Sequence, residues 1–159
     1  MGNRMREMTL EEFLKMWEMG TRDFSQDSMG LLYFSFPNHF YGLDMSGINL
    51  SGQRLSDFDF GRANLSGANL SGASFCDSSL VKVNLSGANL SGVTFAGAGV
   101  SDCNLRDAIL KDSYIGSADF MGNDLTRCDM TGAIFEEAYV IDNIYMETIM
   151  PDGTIRTDT

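Results

Sequence analysis

Every fifth residue of this chain from Met45 to Met150 is a large apolar one. Met45, Leu50, Leu55, Phe60 and Leu65 open the series and Val140, Tyr145 and Met150 close it; none of its 22 positions is polar, and no residue is inserted or lost. With 43% of the chain hydrophobic, chance produces such a run on the order of 10⁻⁸ of the time for a chosen phase. Period five is neither the helical 3.6 nor the strand 2.0. It fits a short strand plus a corner.

The residue two before each apolar centre is small in 16 of the 22 units, as at Ala63, Ala68, Ala73, Ser78 and Ala88. Two residues apart on a strand point the same way, so small and large side chains both face inward. The next small residue lies three further on and must face inward too. The chain must therefore bend between them, at pairs such as Ser66-Gly67, whose residue types favour turns. Identical bends toward one inside build a closed coil.

A longer period counts its sides. Residues 63–77 (ANLSGANLSGASFCD) align with 83–97 (VNLSGANLSGVTFAG), an offset of 20 residues or four units. Four sides per coil place Leu65, Leu85 and Leu105 in one column, and Phe75, Phe95 and Phe135 in another with Ile115 between. Like stacks on like at about 4.8 Å.

Units such as ANLSG at 63–67 and 68–72 resemble the pentapeptide-repeat family, and the resemblance runs from Leu43 to Met150. It implies an all-β fold, the right-handed quadrilateral β-helix of that family, and it suggests a cyanobacterial source. The handedness comes from the resemblance alone. Three segments follow: an N-terminal cap at 1–42, the repeat at 43–150, and a C-terminal tail at 151–159, in which Ile155 keeps the phase and 156–159 read as polar.

Solenoid ends need caps, because open strand edges invite aggregation. Thr9 and Glu12 form a capping-box pattern. Leu10, Phe13, Leu14 and Trp17 make one apolar stripe, and Gly20 suits the position after the helix. The pattern predicts a helix over about 10–19. Phe24 reads as the centre of a first, out-of-phase unit, and 30–42 as an irregular coil with Pro37.

Catalysis finds little support. The lone His39 has no second His or Cys at metal-ligand spacing, and no cofactor or metal is predicted. Cys103 and Cys128 take inward small positions; Cys76 should face outward, without a neighbour to lower its pKa. Asn123 and Asn143 also take inward positions 20 residues apart, and are expected to stack as an amide ladder. Asp102, Asp107, Asp112, Asp119, Asp124 and Asp129 face outward on a convex prism with no cleft between them. The odd cysteine count argues for reduced thiols and a cytoplasmic setting, and no signal or membrane-spanning stretch is visible.

A net charge of −11 opposes direct nucleic-acid or membrane binding. The expected function is therefore non-enzymatic: a scaffold whose flat faces meet a protein partner. The alternative is acidic mimicry of DNA against an enzyme such as gyrase, which the resemblance allows, although residues 151–159 are too few for the dimerising C-terminal helix of the relatives that do this. Two surfaces stand out. Val81, Met121 and Ile141, with Cys76 and Ala96 one corner earlier, mark the smoother side and the expected partner surface. Ile134, Tyr139, Ile144, Met146 and Ile149 are outward yet apolar in the last coil. Either a symmetric end-to-end homodimer or a folded-back tail would cover them.

Overall fold

A computed structural model describes residues 5–35 and 40–158. His39 and Pro37 lie outside the described residues. The repeat folds as a stack of four-sided coils. Asp44, Asn64, Asn84, Asn104, Asp124 and Ile144 are bridged in turn, each 20 residues from the last and parallel to it. Between coils the backbone bonds upward and downward: the Leu65 N–H donates to the Asn84 carbonyl at 2.7 Å and the Asn64 N–H to Leu43 at 2.8 Å. The centres from Phe40 to Met130 are all buried, Leu85 among them at 0% exposure.

Each corner is a tight turn. At 65–68 the Ala68 N–H returns to the Leu65 carbonyl at 3.1 Å, and Gly67 takes φ 64°. The same left-handed conformation recurs two residues after every centre from Gly42 to Glu147, on ten glycines and twelve other residues. Aspartate tolerates it through its short polar side chain. Lys82, with φ 59°, has no such help. Lys82→Gly is therefore expected to raise stability by about 0.5–1 kcal/mol, read as a higher urea midpoint; an unchanged or lower midpoint would mean that the lysine stem contributes more than its strain costs.

One face differs from the other three. On it, β3 (Ser79–Val81), β4 (Gly99–Ser101), β5 (Asp119–Met121) and β6 (Tyr139–Ile141) form a continuous parallel sheet. At its corners the centre carbonyl bonds not to the turn but to an inward side chain from the coil above. Cys103 Sγ donates to Leu80 O at 2.9 Å, Asn123 Nδ2 to Val100 O at 2.9 Å, and Asn143 Nδ2 to Phe120 O at 2.9 Å. The Asn123 Oδ1 also accepts the Cys103 N–H at 2.9 Å, and the Asn143 Oδ1 the Asn123 N–H at 2.9 Å.

The two asparagines thus stack, but as backbone clamps and not as the expected amide ladder. Each side chain satisfies one donor and one acceptor of an open corner. The ladder exists elsewhere, on the outward column. Asn64 Nδ2 donates to Asp44 Oδ1 at 2.9 Å, Asn84 Nδ2 to Asn64 Oδ1 at 3.2 Å, and Asn104 Nδ2 to Asn84 Oδ1 at 3.2 Å.

At the N-terminal end, β1 (Arg6–Met8) pairs in parallel with β2 (Leu32–Phe34), and α1 (Leu10–Glu18) lies between them in sequence. Thr9 caps the helix by accepting the Glu12 N–H at 3.2 Å, whereas the Glu12 carboxylate pairs with Arg6. Phe13 is buried against Phe24, Phe34 and Phe40. Leu14, expected in the stripe, sits exposed at its edge; the helix instead turns Leu10, Phe13, Met16 and Trp17 toward the core. Asp23 bridges Asn49, so the first coil takes 26 residues, not 20. The extra length holds α2 (Gln26–Met29). The inward Gln53 fastens this irregular coil, accepting the Leu32 N–H and donating to the Phe24 and Gly30 carbonyls, each at 2.9 Å.

The C-terminal tail is a strand. β7 (Tyr145–Ile149) pairs antiparallel with β8 (Ile155–Asp158), with Thr148 opposite Arg156 and Ile149 opposite Ile155. The turn between them carries Gly153 at φ 82°. A polar sequence reads as a loose tail, but the free upper edge of β7 supplies the partner that such a segment needs to become a strand. The Arg156 guanidinium lies 3.9 Å over the Tyr145 ring.

Candidate interaction surface

The residues either side of each centre point outward, so the β3–β6 sheet presents two rows. One row is Val81, Ser101, Met121 and Ile141; the other is Ser79, Gly99, Asp119 and Tyr139. Val81 and Ile141 are exposed, at 40% and 39%, while Ser101 and Met121 are half-buried. The expected partner residues Val81, Met121 and Ile141 therefore share one flat face.

Cys76 and Ala96 do not lie on it. They belong to the preceding side, around the corner at Asp77 and Gly97, and both are half-buried. Cys76 Sγ accepts from Ser74 Oγ at 3.3 Å and lies 3.9 Å from Thr94 Oγ1. The next rung of that column is not bare either: a side chain at Gly116 would collide with the Tyr114 ring laid against it. Burial pushes the Cys103 thiol up to about 12 and raises the Cys128 thiol as well, so both stay protonated and unreactive.

Sequence reading missed Tyr139 as a member of this face. It assigned that residue to the end patch, yet Tyr139 and Ile141 flank the same centre, Val140, on β6. The alternation of a strand was the available signal. The five residues grouped as a dimer surface lie on four different sides of the last coil. Ile134 bridges Tyr114, Tyr139 is in β6, Ile144 bridges Asp124, Met146 is in β7, and Ile149 bridges Asp129. They form a ring around the prism and not one patch, and β8 covers the edge at Ile149.

Charge is distributed unevenly. Three ion pairs cross between coils, Arg106–Asp124 at 2.6 Å, Lys111–Asp129 at 3.0 Å and Arg127–Asp107 at 2.6 Å, and all lie off the β3–β6 face. The Arg127 guanidinium hydrogen-bonds Asp107 and holds its carboxyl below the usual range. Among the described residues, no group of three or more His, Cys, Asp or Glu is placed to hold a metal ion. No described helix is long and apolar enough to cross a membrane.

The sequence profile of pentapeptide repeats matches residues 44–80, 59–97, 79–112 and 101–136, more than half of the chain. The chain belongs to the pentapeptide-repeat family. Its fold is accordingly the right-handed quadrilateral β-helix expected from the repeat units. Solved pentapeptide-repeat structures resemble it. One from the Arabidopsis thaliana thylakoid lumen is 27% identical, with a TM-score of 0.49 over 71% of this chain and 72% of that one. Rfr23 from the cyanobacterium Cyanothece 51142 is 25% identical, with a TM-score of 0.43 over 65% and 62%. HetL of the cyanobacterium Nostoc, involved in heterocyst differentiation regulation, is 20% identical, with a TM-score of 0.37 over 94% and 100%. No curated protein matches the chain. Pentapeptide-repeat proteins are generally structural or interaction proteins.

Proposed function

We propose that this pentapeptide-repeat protein is a non-enzymatic cytoplasmic scaffold whose β3–β6 face docks a protein partner. The supporting observation is the pair of coplanar rows on that face. Val81, Met121, Tyr139 and Ile141 supply apolar contact on a rigid sheet, while the crossing ion pairs lie on the other sides. Three of these four side chains cluster on β5 and β6, and an apolar, aromatic-containing patch with few charges has the composition of an interface core. No cofactor is called for. Val81→Lys combined with Met121→Lys is expected to weaken binding of a partner, identified by pull-down from the source organism, by about tenfold or more. Both positions are outward, so the melting temperature should stay within a few degrees. Retained binding by the double variant would move the docking site to another side.

The net charge of −11 supports a second reading, acidic mimicry of DNA against gyrase. Arg106, Lys111 and Arg127 neutralise part of that acidity in the middle coils, and the apolar rows favour the scaffold. Titration into a gyrase supercoiling assay separates the two: the scaffold reading expects no change in supercoiling, and inhibition would favour mimicry.

A further inference from the structure

The two ends of the coil are finished differently. At the N-terminal end, α1 lays Phe13 over the first coil. At the C-terminal end, β8 covers only β7. The sheet on the neighbouring side simply stops at β6, where Tyr139, Val140 and Ile141 are all exposed. Val140 is an inward centre, yet it is 41% exposed because no coil follows it on that side.

The backbone there is left open by the same repeat. Lys82 N–H donates to Ser101 O at 2.9 Å, Asp102 N–H to Met121 O at 3.0 Å, and Gly122 N–H to Ile141 O at 3.1 Å. Asp142 is next in this series, and among the described residues no strand pairs with the outer edge of β6. Beside that edge the bore opens into a cavity of about 260 Å³ lined by Phe135, Val140, Tyr145 and Met150, and by Arg156, whose charge is already paired with Asp158.

From these observations we infer that β6 is a strand-addition site for an extended peptide segment with an apolar centre and basic flanks. The mode is already in use one side further on, where β8 adds to β7. Charge selects the occupant. The corners bounding β6 are Glu137 and Asp142, Glu136 stands next to the first, and none of the three joins an ion pair among the described residues. A cationic flank at each end of an added strand meets a carboxylate. A second copy of the chain would instead bring this acidic rim against itself, with −11 on each side. Backbone pairing supplies the affinity and the apolar centre seats over the bore.

The inference deepens the scaffold reading and rests on it, but its test reads the β6 edge and not the sheet face. Backbone amide exchange is followed by NMR in the full chain, alone and with a short synthetic peptide of alternating valine and threonine flanked by lysine pairs. The Val140 and Asp142 amides should exchange rapidly in the free protein and slow about tenfold or more at saturating peptide. Raised salt should weaken the effect. The same peptide flanked by glutamate should protect neither amide, and Val140→Pro should abolish binding by removing one donor. The Val81→Lys, Met121→Lys variant should show undiminished protection, so that loss of the face and loss of the edge are told apart. The inference is overturned if the two amides are already slow in free protein, if the lysine-flanked peptide leaves them unchanged, if the glutamate-flanked peptide serves equally well, or if sedimentation shows a dimer that holds this edge. The exchange measured in the unsubstituted chain decides the matter even if Val140→Pro fails to fold.

Discussion

Leu85→Asp is expected to lose most of the stability of the coil. Leu85 is fully buried, with Leu65 below and Leu105 above it in the same column. Among the described residues no Lys or Arg is buried, so the carboxylate would be buried unpaired or would take up a proton at a large free-energy cost. Such a substitution destabilises by about 4–5 kcal/mol, close to the total stability of many small domains. The outward neighbour supplies the control. Ser86→Asp should change stability by less than about 0.5 kcal/mol. Thermal melts of the two variants are sufficient to check this. Equal midpoints would overturn the assignment of inward and outward positions, and with it the whole register.

The second large effect lies at a polar residue. Asn123→Leu keeps the branching and the number of side-chain heavy atoms and adds apolar character to a buried position, yet it is expected to destabilise. Leucine can neither donate to the Val100 carbonyl nor accept the Cys103 N–H, both of which Asn123 bonds at 2.9 Å. Two buried backbone groups would then lack partners, at about 1–3 kcal/mol each. A loss of about 2–4 kcal/mol in urea unfolding is expected, with the effect local to the β3–β6 corners. Asn84→Ala, on the half-buried outward ladder, should cost under about 1 kcal/mol because water replaces the lost amide bond. An Asn123→Leu chain as stable as the parent would mean that the corner relaxes to close its own hydrogen bond.

Most of the fold is written in the repeat itself. Each five-residue unit contains its own instruction: a small and a large residue two apart for the inside, and a pair that accepts the left-handed corner. Nothing distant is needed to read Leu65, Ala68 or Gly67. The 20-residue column follows from the same units, which is why Leu85 could be placed between Leu65 and Leu105 without coordinates. The cap helix was legible too, since Thr9, Glu12 and Phe13 form a local pattern.

What the units cannot encode is anything set by the coil above or below. Asn123 looked like a rung in an amide ladder because its own sequence neighbours do not reveal that the corner at Val100 is open. That corner lies 23 residues earlier, and only the stacking brings the two together. The same holds for the candidate surface. Val81, Met121 and Ile141 were identified by their outward positions, with Cys76 and Ala96 one corner earlier, but Tyr139 was not grouped with them, because the face depends on which outward positions share a strand. Residues 156–158 read as a polar tail until β7 offered an unpaired edge. A strand edge is a property of the assembled stack, created where the repeat ends. The sequence alone therefore determined which side chains point inward, whereas the tertiary structure decided which backbone groups remained free at the last coil, because each coil's hydrogen bonds are completed only by the next.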